Sequence, residues 1–243
     1  MVSVSSFFKG SLQDRPSLQT QTSQEATFNR LLLRQQNSDL SPPKTPLQLP
    51  SLQLSARDFT LQELPKLSSK LQKQVILFLK NQQLPNKAFV QLQQTLQQHP
   101  HLNHLILSHT HLNHFAVAAL SDLLKVNHFI GWLVLNHSQI DSLRLSELAK
   151  GLKLNQGLKH LVLDDNPIGD EGLMTLLKNV QDHPNLESIF LKNCNISKKS
   201  LVPIKEFLAK NKQIKRIDLR KSPLSHDDHA LLCALNDERL ILK

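Results

Sequence analysis

The 243-residue chain has no tyrosine, one tryptophan, two cysteines and only six glycines. Each shortage excludes something. Cys194 and Cys233 are far apart and alone, so neither a disulfide framework nor a zinc set is available, and both read as structural. A reducing, cytoplasmic setting is the simpler expectation. No phosphate-binding loop, nucleophile elbow, H-E-x-x-H or convincing acid–base pair is present, so we expect no enzyme and no cofactor. Vicinal carboxylates such as Asp164–Asp165 and Asp227–Asp228 are ordinary on surfaces. Long apolar runs are missing too: Val75–Leu79 falls far below the roughly 20 residues of a membrane span. Residues 1–12 hold Phe7 and Phe8 but no sustained apolar stretch, so no secretory leader is expected there.

What is abundant is leucine and positive charge. Apolar residues make up 40% of the chain, enough for a sizeable core, and the formal net charge is +9. A basic chain favours acidic protein surfaces, nucleic acid or anionic lipid as partners, without choosing among them.

Residues 1–48 are rich in Ser, Gln and Pro, and Ser41–Pro46 excludes regular structure. This segment is expected to be largely disordered, since it buries too little apolar surface to offset ordering entropy. Within it, Glu25–Gln36 carries Phe28, Leu31, Leu32 and Leu33, the pattern of a nascent amphipathic helix or a short docking segment.

From residue 49 onward the pattern is periodic. The spacing L-x-L-x-x-x-x-L places its middle leucines or isoleucines at 79, 107, 135, 163, 191 and 219, each step being 28 residues. Phe89, Val117, Leu145, Leu173 and Leu201 share a second register. Leu92, Leu120, Leu148, Leu176, Ile204 and Leu232 share a third. Leu96, Leu124, Leu152, Val180 and Leu208 share a fourth. The last three lie three and four residues apart, one face of a helix. Each unit is a strand, a turn and a helix that cannot bury its apolar face alone, so the units must stack.

The stretch Leu158–Leu173, LKHLVLDDNPIGDEGL, resembles the L-x-x-L-x-L-x-x-N-x-I-G-x-x-G-x motif of ribonuclease-inhibitor-like leucine-rich repeats. The resemblance spans roughly residues 52–240. It implies an α/β leucine-rich-repeat solenoid, a horseshoe arc of 28-residue strand-turn-helix repeats with a parallel concave sheet and convex helices. Residues 52–73 form the expected N-terminal cap, 74–234 six repeats and 235–243 a C-terminal cap. Thr60-x-x-Glu63 is a candidate capping box, with Pro65 an alternative helix start. The family's asparagine-ladder position falls at Thr110, Ser138, Asn166, Cys194 and Ser222, all able to hydrogen-bond backbone in the turn. Only the repeat beginning at Leu161 matches the consensus closely. Elsewhere the turn glycine is missing, which leaves loop geometry open.

Alternate strand residues point to opposite sides. With the periodic leucines inward, Phe78, Ile106, Val134, Val162, Phe190 and Asp218 face the concave side. His104, Trp132, His160, Ser188 and Arg216 flank them. A solvated concave sheet offers no core to these side chains, so the apolar row reads either as strand propensity or as a protein-binding stripe with Trp132 and Phe190 as anchors. Beyond the strand, Asp164 and Asp165 give way to Lys192, Arg220 and Lys221, a gradient suited to orienting a partner with an acidic patch.

His109 and His137 should lie about 5 Å apart on adjacent strands. Without convergent ligand spacing, no metal site is expected among the histidines. Asn136-His137-Ser138 and Asn195-Ile196-Ser197 fit the glycosylation pattern by chance.

The resulting functional expectation is a non-catalytic, monomeric protein-interaction module, with no membrane partner. The alternatives are a regulator of a small GTPase, similar to Ran activators but lacking their acidic tail, and a nucleic-acid-binding basic protein. Composition is also similar to leucine-rich-repeat effectors that intracellular bacterial pathogens inject into the host cytoplasm, which would make the partner a host protein.

Overall fold

Branched, apolar triplets recur every 28 residues, and each becomes a short strand because β-branched and aromatic side chains fit a pleated surface. In the computed structural model, which describes residues 51–53, 76–79, 90, 96, 99, 102–223 and 237–242, these are β1 (Ser51–Gln53), β2 (Ile76–Phe78), β3 (His104–Ile106), β4 (Trp132–Val134), β5 (His160–Val162), β6 (Ser188–Phe190), β7 (Arg216–Asp218) and β8 (Leu240–Ile241). They form one eight-stranded sheet, parallel throughout and in sequence order. From β2 to β7 the register advances by 28 residues, so Leu77, Leu105, Leu133, Leu161, Ile189 and Ile217 stand side by side. At the ends the step shortens: Ser51 pairs with Ile76, and Ile217 with Leu240. All described residues belong to the unit spanning Pro50–Lys243. The expectations for residues 1–48, Thr60–Pro65 and Cys233 lie outside the described residues.

Among the described residues, four helices are traced in full and return the chain between strands: α1 (His114–Val126), α2 (Ser142–Leu154), α3 (Gly169–Asn179) and α4 (Leu201–Lys210). Their buried faces carry the predicted registers, as in Leu145, Leu148 and Leu152 of α2. These close on the strand leucines in one core cluster. The result is the expected α/β leucine-rich-repeat solenoid. Helix packing is tight between α1 and α2. A Cβ at Gly151 would stand 2.3 Å from the Ser121 carbonyl oxygen, so glycine there sets the approach.

The turns explain why the consensus glycine is dispensable. Gly169 sits at φ +66, a conformation that favours glycine. Its counterparts in the other repeats are Asn113, Asp141 and Ser197, which adopt extended backbone and cap the next helical turn instead. Asn113 accepts from the Ala116 N–H at 2.9 Å and Asp141 from Arg144 at 2.9 Å. Three residues beyond the end of each strand from β3 to β7, by contrast, the backbone is left-handed: His109, His137, Asp165, Asn193 and Lys221 all have φ between 52 and 58.

Candidate functional site on the concave face

The ladder predicted at the turn is built from side chains that donate to the preceding repeat. Thr110 Oγ1 donates to the Leu79 carbonyl at 2.7 Å, Ser138 Oγ to Leu107 at 2.9 Å, Asn166 Nδ2 to Leu135 at 2.8 Å and Cys194 Sγ to Leu163 at 3.2 Å. Burial pushes the Cys194 thiol up to about 12, so it is an inert structural donor. Asn166 does more: its Oδ1 also accepts the Ser138 and Ile140 N–H groups. Ser222 holds the next ladder position, but its buried hydroxyl makes no such bond.

A second ladder runs along the opposite edge, where helices return to strands, and the sequence reading missed it. Asn127, Asn155, His183 and Asn211 are each 28 residues apart. Each accepts the N–H groups two and three residues on: Phe129 and Ile130, Gly157 and Leu158, Asn185 and Leu186, Gln213 and Ile214. The asparagines also donate backward, as Asn155 Nδ2 does to the Leu124 and Asn127 carbonyls. Arg239 continues the register at the C-terminal end and reaches the Leu208 and Asn211 carbonyls, both at 2.8 Å. The signal was present as a polar residue recurring every 28 positions, between the apolar registers of helix and strand.

These ladders fix the strand ends and so aim the concave rows. One row places His104, Trp132 and His160 side by side, the indole stacked on His104 at 6.0 Å and tilted against His160 at 4.0 Å. Burial lowers His160 to about 4, so it is neutral at physiological pH. The next row is Ile106, Val134, Val162 and Phe190. Phe78 occupies its expected strand position, but its side chain is outside the described residues.

Exposure departs from expectation. A solvated face was anticipated, yet Ile106, Trp132, Val134, Val162 and Phe190 are only 0–6% exposed. They are not part of the core cluster behind the sheet. Neighbour-on-neighbour stacking covers their flanks: rows repeat at strand spacing, so aromatic and branched side chains shield each other laterally. These residues form a second apolar layer, buried and outside the core cluster behind the sheet.

Charge bounds this layer at its C-terminal end. Asp218, 1% exposed, is held by Arg220 through Nε at 2.9 Å and Nη2 at 2.8 Å, and by Arg216 at 3.1 Å. Arg216 also lies 5.0 Å over the Phe190 ring. The two arginines expected to meet a partner's acidic patch thus already share a buried carboxylate. Asp164 is buried as well. Its carboxyl is raised to about 6, by burial first and by the Asp218 and Asp165 charges with it, against an opposing hydrogen bond from the Lys192 N–H at 2.9 Å.

His109 and His137 stack at 4.4 Å, and His137 reaches Asp165 at 3.1 Å. Among the described residues no group of three or more His, Cys, Asp or Glu side chains converges as a metal site. Nor is any described helix long and apolar enough to cross a membrane.

No known family pattern matches the chain, and no curated protein does. Among solved structures it is similar to actin-binding site 2 of leiomodin-1, at 14% identity and a TM-score of 0.44, with 74% of this chain and 90% of that chain covered. It is also similar to an internalin from Listeria monocytogenes, at 12% identity and a TM-score of 0.24, covering 71% and 68%. At such distances the architecture rests on this chain's own 28-residue register, which makes it a leucine-rich-repeat-like fold.

Proposed function

We propose that this chain is a non-catalytic, ribonuclease-inhibitor-like protein-binding module whose concave face holds a partner protein. The observation that supports this is the second apolar layer. A solenoid needs only one apolar face per strand to close its core, and Leu77 through Ile217 supply that face. Ile106, Trp132, Val134, Val162 and Phe190 add a layer outside the core that stacking of the repeats does not require. Trp132, set between two histidines at the middle of the sheet, is its natural anchor. Lys192 and Arg220 stand at the rim, beside Asp164 and Asp218.

Because this layer is buried, binding that uses it includes an opening step. Association should then be slower than the roughly 10⁵–10⁷ M⁻¹s⁻¹ of preformed patches. The test is affinity capture from a eukaryotic lysate with wild type and Trp132→Ala/Phe190→Ala, after thermal melts confirm both are folded. A protein retained by wild type and lost by the variant supports the reading; an identical set of proteins on both rejects the concave layer. Should the retained partner be a eukaryotic protein bound stoichiometrically, a bacterial effector acting in the host cytoplasm becomes the reading to pursue.

A further inference from the structure

The net charge of the chain is not spread over the solenoid. Between Lys192 and Lys221 there are ten basic residues against two acidic ones, Glu206 and Asp218, so nearly the whole +9 resides in this one repeat. Its arginines are taken by Asp218, and Lys215 pairs with Glu187 at 2.9 Å. Lys192 and Lys221 stand where strands run into turns, and the other five lysines lie on the helix side: Lys198 and Lys199 on the 3₁₀ turn leading into α4, Lys205 and Lys210 on α4, and Lys212 just past its Asn211 cap. All five are exposed, and none makes an ion pair among the described residues. On α1 and α2 most basic residues are paired locally, Lys125 with Asp122, Arg144 with Asp141 and Lys150 with Glu147, each three residues apart, whereas single exposed lysines such as Lys153 of α2 and Lys178 of α3 are not clustered.

Helical geometry arranges the lysines of α4. Ile204, Phe207 and Leu208 turn α4 toward the core. At about 100° per residue, Lys205 falls along one edge of the outer face of α4 and Lys210 along the other, while Lys198 and Lys199 precede the helix on the 3₁₀ turn and Lys212 follows the extended Asn211 cap. Between these edges run Val202, 64% exposed, with Glu206 and Ala209.

We infer that this outer face of α4 is a docking surface for an acidic polypeptide segment. It is a second contact, distinct from the concave layer, and rests on the reading of the chain as a protein-binding module. Charge complementarity selects an anion. The strip between the lysines selects the kind. A duplex presents unbroken phosphate charge, about one per 1.7 Å of axis, which the central Glu206 carboxylate opposes. No exposed aromatic lies on this face to stack unpaired bases. A bilayer surface asks for bulky apolar anchors, and Val202 is the single apolar side chain of any size here. An acidic polypeptide can set an uncharged residue against Glu206 and an apolar one against Val202 while its carboxylates meet both lysine edges.

The test uses the full chain and three probes: a fluorescein-labelled 20-residue peptide rich in Glu and Asp with interspersed Leu, a labelled 20-base-pair DNA duplex, and vesicles containing phosphatidylserine. Binding of the peptide is expected at low salt, weakening about tenfold or more between roughly 50 and 200 mM salt. Lys205→Glu/Lys210→Glu should weaken it by at least about tenfold, whereas Lys153→Glu/Lys178→Glu, an equal charge change on exposed positions of α2 and α3, should stay within about twofold. Equal loss in both variants, tighter binding of the duplex than of the peptide, binding to vesicles alone, or no peptide binding at low salt each overturns the inference. Trp132→Ala is expected to leave peptide binding unchanged, so failure here and failure of the concave reading are separately visible.

Discussion

Replacing Asn166 by alanine tests whether the turn ladder is held by its hydrogen bonds or only by packing. Asn166 is 2% exposed. Its Nδ2 donates to the Leu135 carbonyl at 2.8 Å and the Leu163 carbonyl at 2.7 Å, and its Oδ1 accepts Ser138 N–H at 2.9 Å and Ile140 N–H at 3.0 Å. Alanine leaves both N–H groups buried without a partner, at about 1–3 kcal/mol each, so the expected loss is about 2–6 kcal/mol. Cys194→Ala is the internal control. It removes only weak S–H···O contacts to Leu163 and Lys192 and a small volume, for about 1 kcal/mol. Asn166→Ser should fall between, since a hydroxyl can still donate backward as Ser138 does to Leu107. The assay is urea unfolding followed by far-ultraviolet circular dichroism, with midpoints compared at unchanged slope. If Asn166→Ala costs no more than Cys194→Ala, the N–H groups find other partners and the ladder argument is wrong.

His160 and His183 both lie near 4, lowered from 6.5 by burial, so the unfolded chain binds their protons first. Their contribution is complete above pH 6.5 and is lost as pH falls toward 4, which a urea midpoint measured across that window should show as declining stability. Asp164, raised from 3.8 to about 6, acts in reverse: it favours the folded state increasingly as pH falls from about 6 to 3.8. Asp164→Asn should therefore steepen the acid loss between these limits. His183→Asn should flatten it and add about 1 kcal/mol, because the imidazole accepts two N–H groups but its buried Nε2 has no partner, where Asn155 and Asn211 donate to carbonyls. Gly151→Ala should cost at least about 1–3 kcal/mol in the same assay, since its methyl would press on the Ser121 backbone and drive α1 from α2.

The repeat length, the strand registers and the inward helix positions were legible because each is a periodic demand: a stacked unit must place an apolar side chain at the same step every time. The turn ladder was legible for the same reason once Asn166 marked its register. The helix-to-strand ladder obeys the same period, yet Asn127, Asn155, His183 and Asn211 passed unnoticed because a polar residue outside an apolar pattern looks like loop filler. Exposure of the concave row was not legible. Alternation along a strand assigns Val134 and Val162 to a side; how closed that side is depends on what stands next to and above them, which no single strand encodes.

The same limit shaped the reading of charge. Lys192, Arg216 and Arg220 look alike in sequence as a basic end of the concave face. Only in three dimensions do Arg216 and Arg220 converge on Asp218, a buried carboxylate that stands in register with Val162 and Phe190. A buried ion pair of this kind costs desolvation on both sides, and removing one partner is far more damaging than replacing the group by apolar residues. The cluster therefore closes the apolar layer at its end and leaves long-range attraction to the exposed lysines on and around α4. Short-range fit and electrostatic steering would then reside on different faces of one solenoid. Raising salt should accordingly weaken acidic-peptide capture by α4 while leaving contacts to the Trp132 layer largely intact.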